Sequence, residues 1–496
     1  MADGDDKIHV AMFPWLAFGH MMPWLELAKL FAAKGHKISF ISTPRNIDRL
    51  PKPPADVSST LHFVKLPLPQ VEGLPPDAEA TIDLPANKVQ YLKIALDKVQ
   101  EPFAKVLESL NPDWIFYDFA QYWTGPIAAQ LGIKSTYFSI CIAAMVAFLG
   151  PPSPLIDGDD YRKKPEDFTI PPKWVSFQTT VAYKYYDIVN TFDCVEDDAS
   201  GVNDLKRWGL CLQSCDFIAV RSSFEIEPEW LQVLETIHEK PVFLVGQLPP
   251  VEYELEEKNS DAWSSMKKWF DMQEKSSVVY VAFGSEAKPS QAQLTELALG
   301  LELSGLPFFW VLRTRRGIAD TDLIELPPGF EERTKGQGVV CTTWAPQLMI
   351  LAHESIAGFL THSGWSSVVE ALTFQKPLVL LTFYSDQGIN ARVLEEKKIG
   401  YSIPRNELDG SFTRDSVAES LRLVMVSEEG KMYRDKAKEM SSLFGDRDRQ
   451  DKYVDNILIY LKSHRLSRKP SDLSSNFLSQ IKQSVLANSL PTSTVK

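Results

Sequence analysis

At 496 residues the chain is too long for one hydrophobic core and fits two domains on the usual scale of about 100–200 residues each. Hydrophobic residues make up 44% and charged residues 24%, the balance of an ordinary soluble protein and not of a disordered or fibrous one. A formal net charge of -13 at pH 7 argues against nucleic acid as a partner, because phosphate binding of that kind needs a basic face.

The chain opens on the acidic stretch MADGDDKIHV, which leads straight into a strand and has none of the features of a signal peptide. Residues 8–13 are that strand. After a turn at 14–20, a helical pattern runs from about 22 to 33 with Gly35 as its stop, and residues 37–42 form a second strand. Strand, helix, strand at this spacing is a βαβ unit and implies a parallel sheet. Ligands of such sheets bind beyond the carboxyl ends of the strands, and His20 sits there. Residues 51–85 are rich in proline and acidic residues and read as an irregular connection over the ligand side, followed by a helical pattern over 87–110.

Residues 114–117 are a short apolar strand ending at Asp118, which the same rule puts on the ligand side. Taken singly, His20 and Asp118 read as solvated polar residues. Facing one site, they would make a general base held in one tautomer by a carboxylate that also supports the positive charge it gains. The longest apolar run, residues 140–150, falls far short of the roughly 20 residues a membrane-spanning helix needs. Five cysteines, Cys141, Cys194, Cys211, Cys215 and Cys341, contain no CxxC pair and suggest neither a disulfide framework nor a zinc site. Reduced thiols in the cytoplasm are the simplest account, so a soluble cytoplasmic protein without membrane insertion is expected, as a monomer. Between 138 and 235 lie aromatic clusters such as Tyr183, Tyr185 and Tyr186, which favour a core. Residues 217–221 form another strand.

The acidic, proline-containing stretch 248–261, LPPVEYELEEKNSD, marks the domain boundary. A helix over 262–273 and a strand over 277–283 follow, and the strand runs into Gly284-Ser285-Glu286, where small residues let the backbone approach a phosphate. The alternation continues with a helix at 291–304 and a strand at 308–312. Helical patterns at 392–398, 415–426, 431–444 and 452–461 close the globular part. The Ser-rich, basic tail beyond His464 reads as disordered.

Chemistry is concentrated in residues 344–387, WAPQLMILAHESIAGFLTHSGWSSVVEALTFQKPLVLLTFYSDQ. A buried strand at 356–360 meets a helix beginning near Ser366 through the turn Thr361-His362-Ser363-Gly364-Trp365-Ser366-Ser367. Small residues there allow close backbone approach, the hydroxyls can cap the helix or donate to phosphate, and the helix start attracts an anion. By itself the turn reads as an ordinary capped helix. Trp344 beside Pro346 suits stacking on a flat base, and Asp386-Gln387 at the end of the strand 377–381 suit a polyhydroxyl ligand. Together these parts describe a nucleotide sugar.

From its opening Trp to its closing Gln this stretch resembles, without a gap, the signature box of the plant family 1 UDP-dependent glycosyltransferases. The segments PWLAFGH, YDFAQYW and RSSFEIEPEW resemble other motifs of that family, and STPRNIDRLPK with FGSE is similar to its family 91 group. The resemblance implies an α/β GT-B fold of two Rossmann-like domains facing a cleft. An acceptor-binding domain would occupy 1–245, a linker 246–261 and a UDP-sugar-binding domain 262–445. A helix over 446–464 would pack back on the first domain, and 465–496 would be the tail. It further implies that His20 is the base and Asp118 its partner. Trp344, with Ala345, would stack on uracil, and Gln347 and Glu370 would hold the ribose. His362, Gly364, Trp365 and Ser367 would meet the diphosphate with Ser285 nearby, and Asp386 and Gln387 would bind the sugar. Ser366 departs from the Asn usual in the family, which leaves its backbone N–H as the implied contact.

The expected reaction is inverting transfer of a sugar, glucose favoured by Gln387, from UDP-sugar to a hydroxyl of a plant flavonoid, phenolic or terpenoid or its glycoside. UDP-rhamnose is the alternative donor, and a non-catalytic UDP-sugar-binding relative or a retaining GT-B synthase are alternative functions. No cofactor and no metal are expected, since peptide dipoles and His362 would take the charge of the leaving UDP and the box contains no DxD cluster. An oxidoreductase would need GxGxxG at the first turn, where the chain reads PWLAFGH.

Overall fold

Two parallel sheets organise the protein. The computed structural model describes residues 7–192, 198–249, 261–313 and 324–465. The expected tail, most of the expected linker and Cys194 lie outside these residues. The first sheet contains β1 (His9–Phe13), β2 (Lys37–Ser42), β3 (Leu61–Lys65), β4 (Trp114–Tyr117), β5 (Lys134–Ser139), β6 (Phe217–Val220) and β7 (Val242–Leu244), in the order β3-β2-β1-β4-β5-β6-β7. The second contains β8 (Val278–Ala282), β9 (Phe308–Val311), β10 (Gly338–Cys341), β11 (Ile356–Thr361), β12 (Leu378–Leu380) and β13 (Gly400–Ser402), in the order β10-β9-β8-β11-β12-β13. Each pairing is parallel. Parallel strands need crossovers and are covered by them on both faces, which is why runs such as HVAMF in β1 and VVYVA in β8 are buried throughout.

In each sheet the strand order reverses once, between β1 and β4 in the first and between β8 and β11 in the second. The connections leaving two neighbouring strands there run to opposite sides and open a crevice at the carboxyl ends. His20 follows β1, Asp118 follows β4, Ser285 follows β8 and the turn 362–364 follows β11, so the four loops carrying the expected chemistry flank the two crevices.

Several elements differ from the sequence expectation. The first helix is Phe18–Ala33, four residues longer at its start than expected, so His20 stands in its first turn and not in a loop. Position 22 is next to Pro23, a residue type favoured in first turns, but the N–H groups of His20 and Met21 already bond to Ala17 O at 2.9 and 2.8 Å. The stretch 51–85 contains the strand β3, which pairs with β2 from Ile38 opposite Leu61 to Ser42 opposite Lys65. The helical pattern over 87–110 is two helices, Val89–Asp97 and Gln100–Leu110. Pro102 has no N–H to give Lys98 O, so it is accommodated in the first turn of a new helix. The helix expected from 392 starts at Gln387 and ends at Glu396, which places Asp386 and Gln387 at a helix start.

The helix Arg447–Ser463 lies on the first sheet's side of the molecule. Its Val454, Ile457, Leu458 and Leu461 share a core with Trp24, Phe31, Trp114 and Phe217, and Trp114 Nε1 donates to Leu461 O at 3.0 Å. Another cluster runs from Tyr137 and Met145 to Trp365 and Leu394 and joins the two halves. Among the described residues no helix is long and apolar enough to cross a membrane.

Candidate active site

The crevices of the two sheets open into one cavity of about 500 Å³, lined by His20 and Phe119 from the first and by Ser285, His362 and Ser366 from the second. On the first side, His20 Nδ1 lies 2.7 Å from Asp118 Oδ2. The same carboxylate oxygen accepts from Trp15 N at 3.1 Å, and Oδ1 accepts from Phe119 N at 2.8 Å, so its orientation is fixed by backbone as well as by the imidazole. With Nδ1–H given to Asp118, Nε2 is left as the basic nitrogen, with no hydrogen-bond partner among the described residues. Burial pulls the His20 pKa down, but the Asp118 charge and hydrogen bond outweigh it, with smaller contributions from Glu286 and Asp386, and the value ends above that of an ordinary histidine. Asp118 itself is 1% exposed.

The second side is built from small groups. The turn after β11 places Ser363 at φ +69°, a conformation unusual for a residue with a side chain, and its carbonyl is held by Asn390 Nδ2 at 3.0 Å. Gly364 precedes the helix Trp365–Thr373, and a side chain at Gly364 would collide with the His362 ring. Gly284, at φ +74°, meets the ring from the other loop, where an added Cβ would lie 2.9 Å from Nε2. This lodging takes much of the His362 ring out of water while leaving it in the cavity lining, and burial lowers its pKa to about 4. With this pKa His362 offers the site a neutral imidazole, which meets a ligand's charge by hydrogen bonding.

Other expected residues are found in company. Gln347 Nε2 donates to Glu370 Oε2 at 2.7 Å and to Ser367 Oγ at 3.1 Å, while Tyr280 OH donates to Gln347 Oε1 at 3.2 Å. Burial lifts the Glu370 carboxyl to about 7, against the pull of Gln347 and Arg221. Asp386 Oδ2 accepts from Asn390 Nδ2 at 2.8 Å, and burial raises its pKa. Gln387 Oε1 is occupied by the N–H groups of Phe383 and Tyr384 at 2.9 and 3.3 Å, which leaves its amide N–H₂ for a ligand. Trp365 turns its indole N–H to Gln247 Oε1 at 2.9 Å, leaving the backbone of the helix start toward the cavity. Trp344 is 57% exposed, and it, Ala345 and Gln347 stand outside the cavity lining.

Among the lining groups that carried no expectation are Glu286 and Arg221. Glu286 accepts from Thr81 Oγ1 at 2.5 Å across the cleft, and Arg221 sits at the end of β6. Tyr183, expected in the core, is buried but also lines the cavity and donates to Ser385 O at 3.1 Å. Phe119, Met145, Phe148, Phe168, Ile188 and Trp208 give the first side an apolar wall, with Lys93, Arg162, Thr191 and Asp204 also in its lining.

The family model described as UDP-glucoronosyl and UDP-glucosyl transferase matches residues 254–460. UDP-glycosyltransferase 91A1 of Arabidopsis thaliana is 55% identical over 468 residues, which cover 93% of this chain and 98% of that protein. The chain belongs to the plant UDP-glycosyltransferases. Soyasaponin III rhamnosyltransferase of Glycine max is another relative of this UDP-glycosyltransferase, 43% identical with 93% of this chain and 97% of that protein covered. The crystal structure of Glycyrrhiza uralensis UGT73P12 complexed with glycyrrhetinic acid 3-O-monoglucuronide superposes with a TM-score of 0.74 at 22% identity, covering 97% of this chain and 99% of that one. Its likeness is one of fold, the GT-B architecture of two parallel-sheet α/β halves across a cleft. As a UDP-glycosyltransferase the protein is an enzyme that uses a UDP-sugar donor and a small-molecule acceptor.

Proposed function

We propose that this UDP-glycosyltransferase transfers glucose, with inversion, from UDP-glucose to a hydroxyl of a plant flavonoid, phenolic or terpenoid or of its glycoside. The observation that carries the reading is the 2.7 Å contact of His20 Nδ1 with Asp118 Oδ2, in the same cavity as the start of the helix Trp365–Thr373. His20 Nε2 takes the proton of the acceptor hydroxyl as its oxygen attacks the anomeric carbon from the face opposite UDP, and Asp118 stabilises the imidazolium that forms. The bond to the phosphate oxygen breaks with its electron pair left on UDP, whose charge meets the N–H groups of the helix start; the scheme involves no metal.

Trp344 with Ala345 would stack on uracil, Gln347 and Glu370 would hold the ribose, and Asp386 with the free amide of Gln387 would bind the sugar. Glucose is favoured because Gln387 closes the box. The apolar wall from Phe119 to Trp208 suits a flat or polycyclic aglycone. A second reading, UDP-rhamnose as donor to a glycoside, is supported by the kinship with the soyasaponin III rhamnosyltransferase.

The test offers UDP-glucose and UDP-rhamnose separately, with pooled phenols, terpenoids and their monoglucosides, and reads products by mass spectrometry beside His20→Ala. Addition of a hexose that needs His20 is the expected result. A deoxyhexose gain on glycosides alone would establish the second reading, and equal turnover by His20→Ala would overturn both.

A further inference from the structure

The N–H groups of the helix start and the His362 imidazole can donate hydrogen bonds to a leaving diphosphate, and a full positive charge beside them would strengthen that stabilisation. Among the described residues, the Lys and Arg side chains lining the cavity are Lys93, Arg162 and Arg221. Lys93 is bound to Asp198 and Asp204 at 3.0 and 2.6 Å, and Arg162 to Asp160 at 2.7 Å. Arg221 differs. It is 3% exposed, and among the described residues its hydrogen bonds go to neutral acceptors: Nε to Gln247 O at 2.8 Å, Nη2 to Leu248 O at 3.4 Å and Nη1 to Ser366 Oγ at 2.7 Å. A buried cation is normally paired with an anion, because desolvation costs more than neutral partners return. The cost registers in its pKa, which burial brings down to about 10 against the more distant pull of Glu370 and Glu26, leaving the group charged at neutral pH.

The place of this charge is specific. Arg221 stands at the carboxyl end of β6, where its N–H bonds to Ser139 O at 2.9 Å, and it reaches from the first half of the molecule to the helix start of the second. Gln247, which holds its Nε, also holds the indole of Trp365, so the two neighbours fix both of the helix's first residues. A hydroxyl that accepts from a guanidinium keeps its own O–H free to donate, and the adjacent charge strengthens that donation.

We infer that Arg221 is a positioning residue for the donor diphosphate, orienting the Ser366 hydroxyl as a donor to it and supplying the buried positive charge of the site. The inference rests on the assignment of the helix start Trp365–Ser367 to the diphosphate. As the bond from the anomeric carbon to the phosphate oxygen breaks, the electron pair stays on UDP beside Ser366, and the acceptor's proton goes to His20 Nε2 on the opposite side of the sugar. Serine at position 366 suits this arrangement because one atom both accepts from Arg221 and donates onward.

The test compares UDP with uridine, which lacks the diphosphate, by calorimetry on the full-length wild type, Arg221→Gln, Ser366→Ala and the double variant. Each single variant is expected to bind UDP about 10–100-fold more weakly and uridine within about twofold of the wild type, the loss typical of one charged hydrogen bond. Because the two residues act as one unit, the double variant should fall no more than about threefold below the weaker single. Unchanged UDP binding in Arg221→Gln, equal loss of UDP and uridine, or losses that multiply in the double variant would each overturn the inference while leaving the donor-site assignment standing. A wild type that binds neither ligand would remove that assignment and the inference together. Should Arg221→Gln fail to show a cooperative melt, the partly exposed Ser366→Ala decides alone, selective loss of UDP supporting the inference and wild-type affinity refuting it.

Discussion

At the crevice between β1 and β4 the chain sets an imidazole 2.7 Å from a carboxylate; at the crevice between β8 and β11 it sets two glycines, a run of serines and a histidine whose pKa burial holds at about 4. The topology is the same in both, a strand order that reverses once, and the chemistry is opposite. The first crevice uses a group that must gain and lose a proton, so its pKa has to be tuned by a charged neighbour. The second uses backbone N–H groups, hydroxyls and a neutral ring, which donate hydrogen bonds at any ordinary pH. One fold thus supports proton transfer on one side of the cleft and anion binding on the other, according to whether side chains or peptide groups face the opening.

The contrast is broken most severely by His20→Ala. Turnover should fall by about 10²–10⁴, the usual worth of a general base, while the calorimetric affinity for UDP stays within about threefold. Asp118→Asn should cost about 10–100-fold, the value of a charge-assisted hydrogen bond, and should also move the pH profile. His20 acts unprotonated and its pKa is raised, so kcat/KM of the wild type falls as pH drops through a limb above the ordinary histidine value of about 6.5. With the largest raising influence gone, that limb should shift to lower pH in steady-state assays of Asp118→Asn. On the other side, Gly364→Ala pushes a methyl group into the His362 ring and should weaken UDP-glucose binding about tenfold, on the scale of overpacking, with the acid limb unmoved. Smallest of all is the effect of pH on the donor. In Glu370→Gln, which removes the donor-side carboxyl that burial lifts to about 7, calorimetric affinity for UDP-glucose should vary less than about twofold from pH 6 to 8, because the diphosphate does not titrate in this range and His362 stays neutral.

The first crevice was the more legible of the two in the sequence. His20 and Asp118 each follow a short apolar strand, and the carboxyl-end rule alone brings them to one side of the sheet. The turn after β11 is legible as a turn, since its small residues stand between a strand pattern and a helix pattern, but by itself it reads as an ordinary capped helix. What could not be read was anything decided by two distant segments. The neutrality of His362 comes from Gly284, 78 positions away, closing over its ring. Arg221 meets Ser366 across 145 residues, and nothing in RSSFEIEPEW distinguishes a surface arginine from a buried one. Local errors had local causes. β3 is hidden by the prolines on both sides of it, β13 is only three residues long, and the helix from Gln387 is obscured because Asp386 and Gln387 carry a ligand-binding pattern and also begin a helix.

The helix Arg447–Ser463 has a bearing on how the protein is made. Trp24, Phe31 and Trp114 leave the ribosome early, yet their packing partners Val454, Ile457 and Leu461, and the carbonyl that receives the Trp114 indole, are translated some hundreds of residues later. The sheet nearest the amino terminus therefore waits, with apolar surface uncovered, until almost all of the chain has been synthesised, and contacts of such long sequence separation form slowly. The half that carries His20 and Asp118 is thus closed by a segment made after the other half.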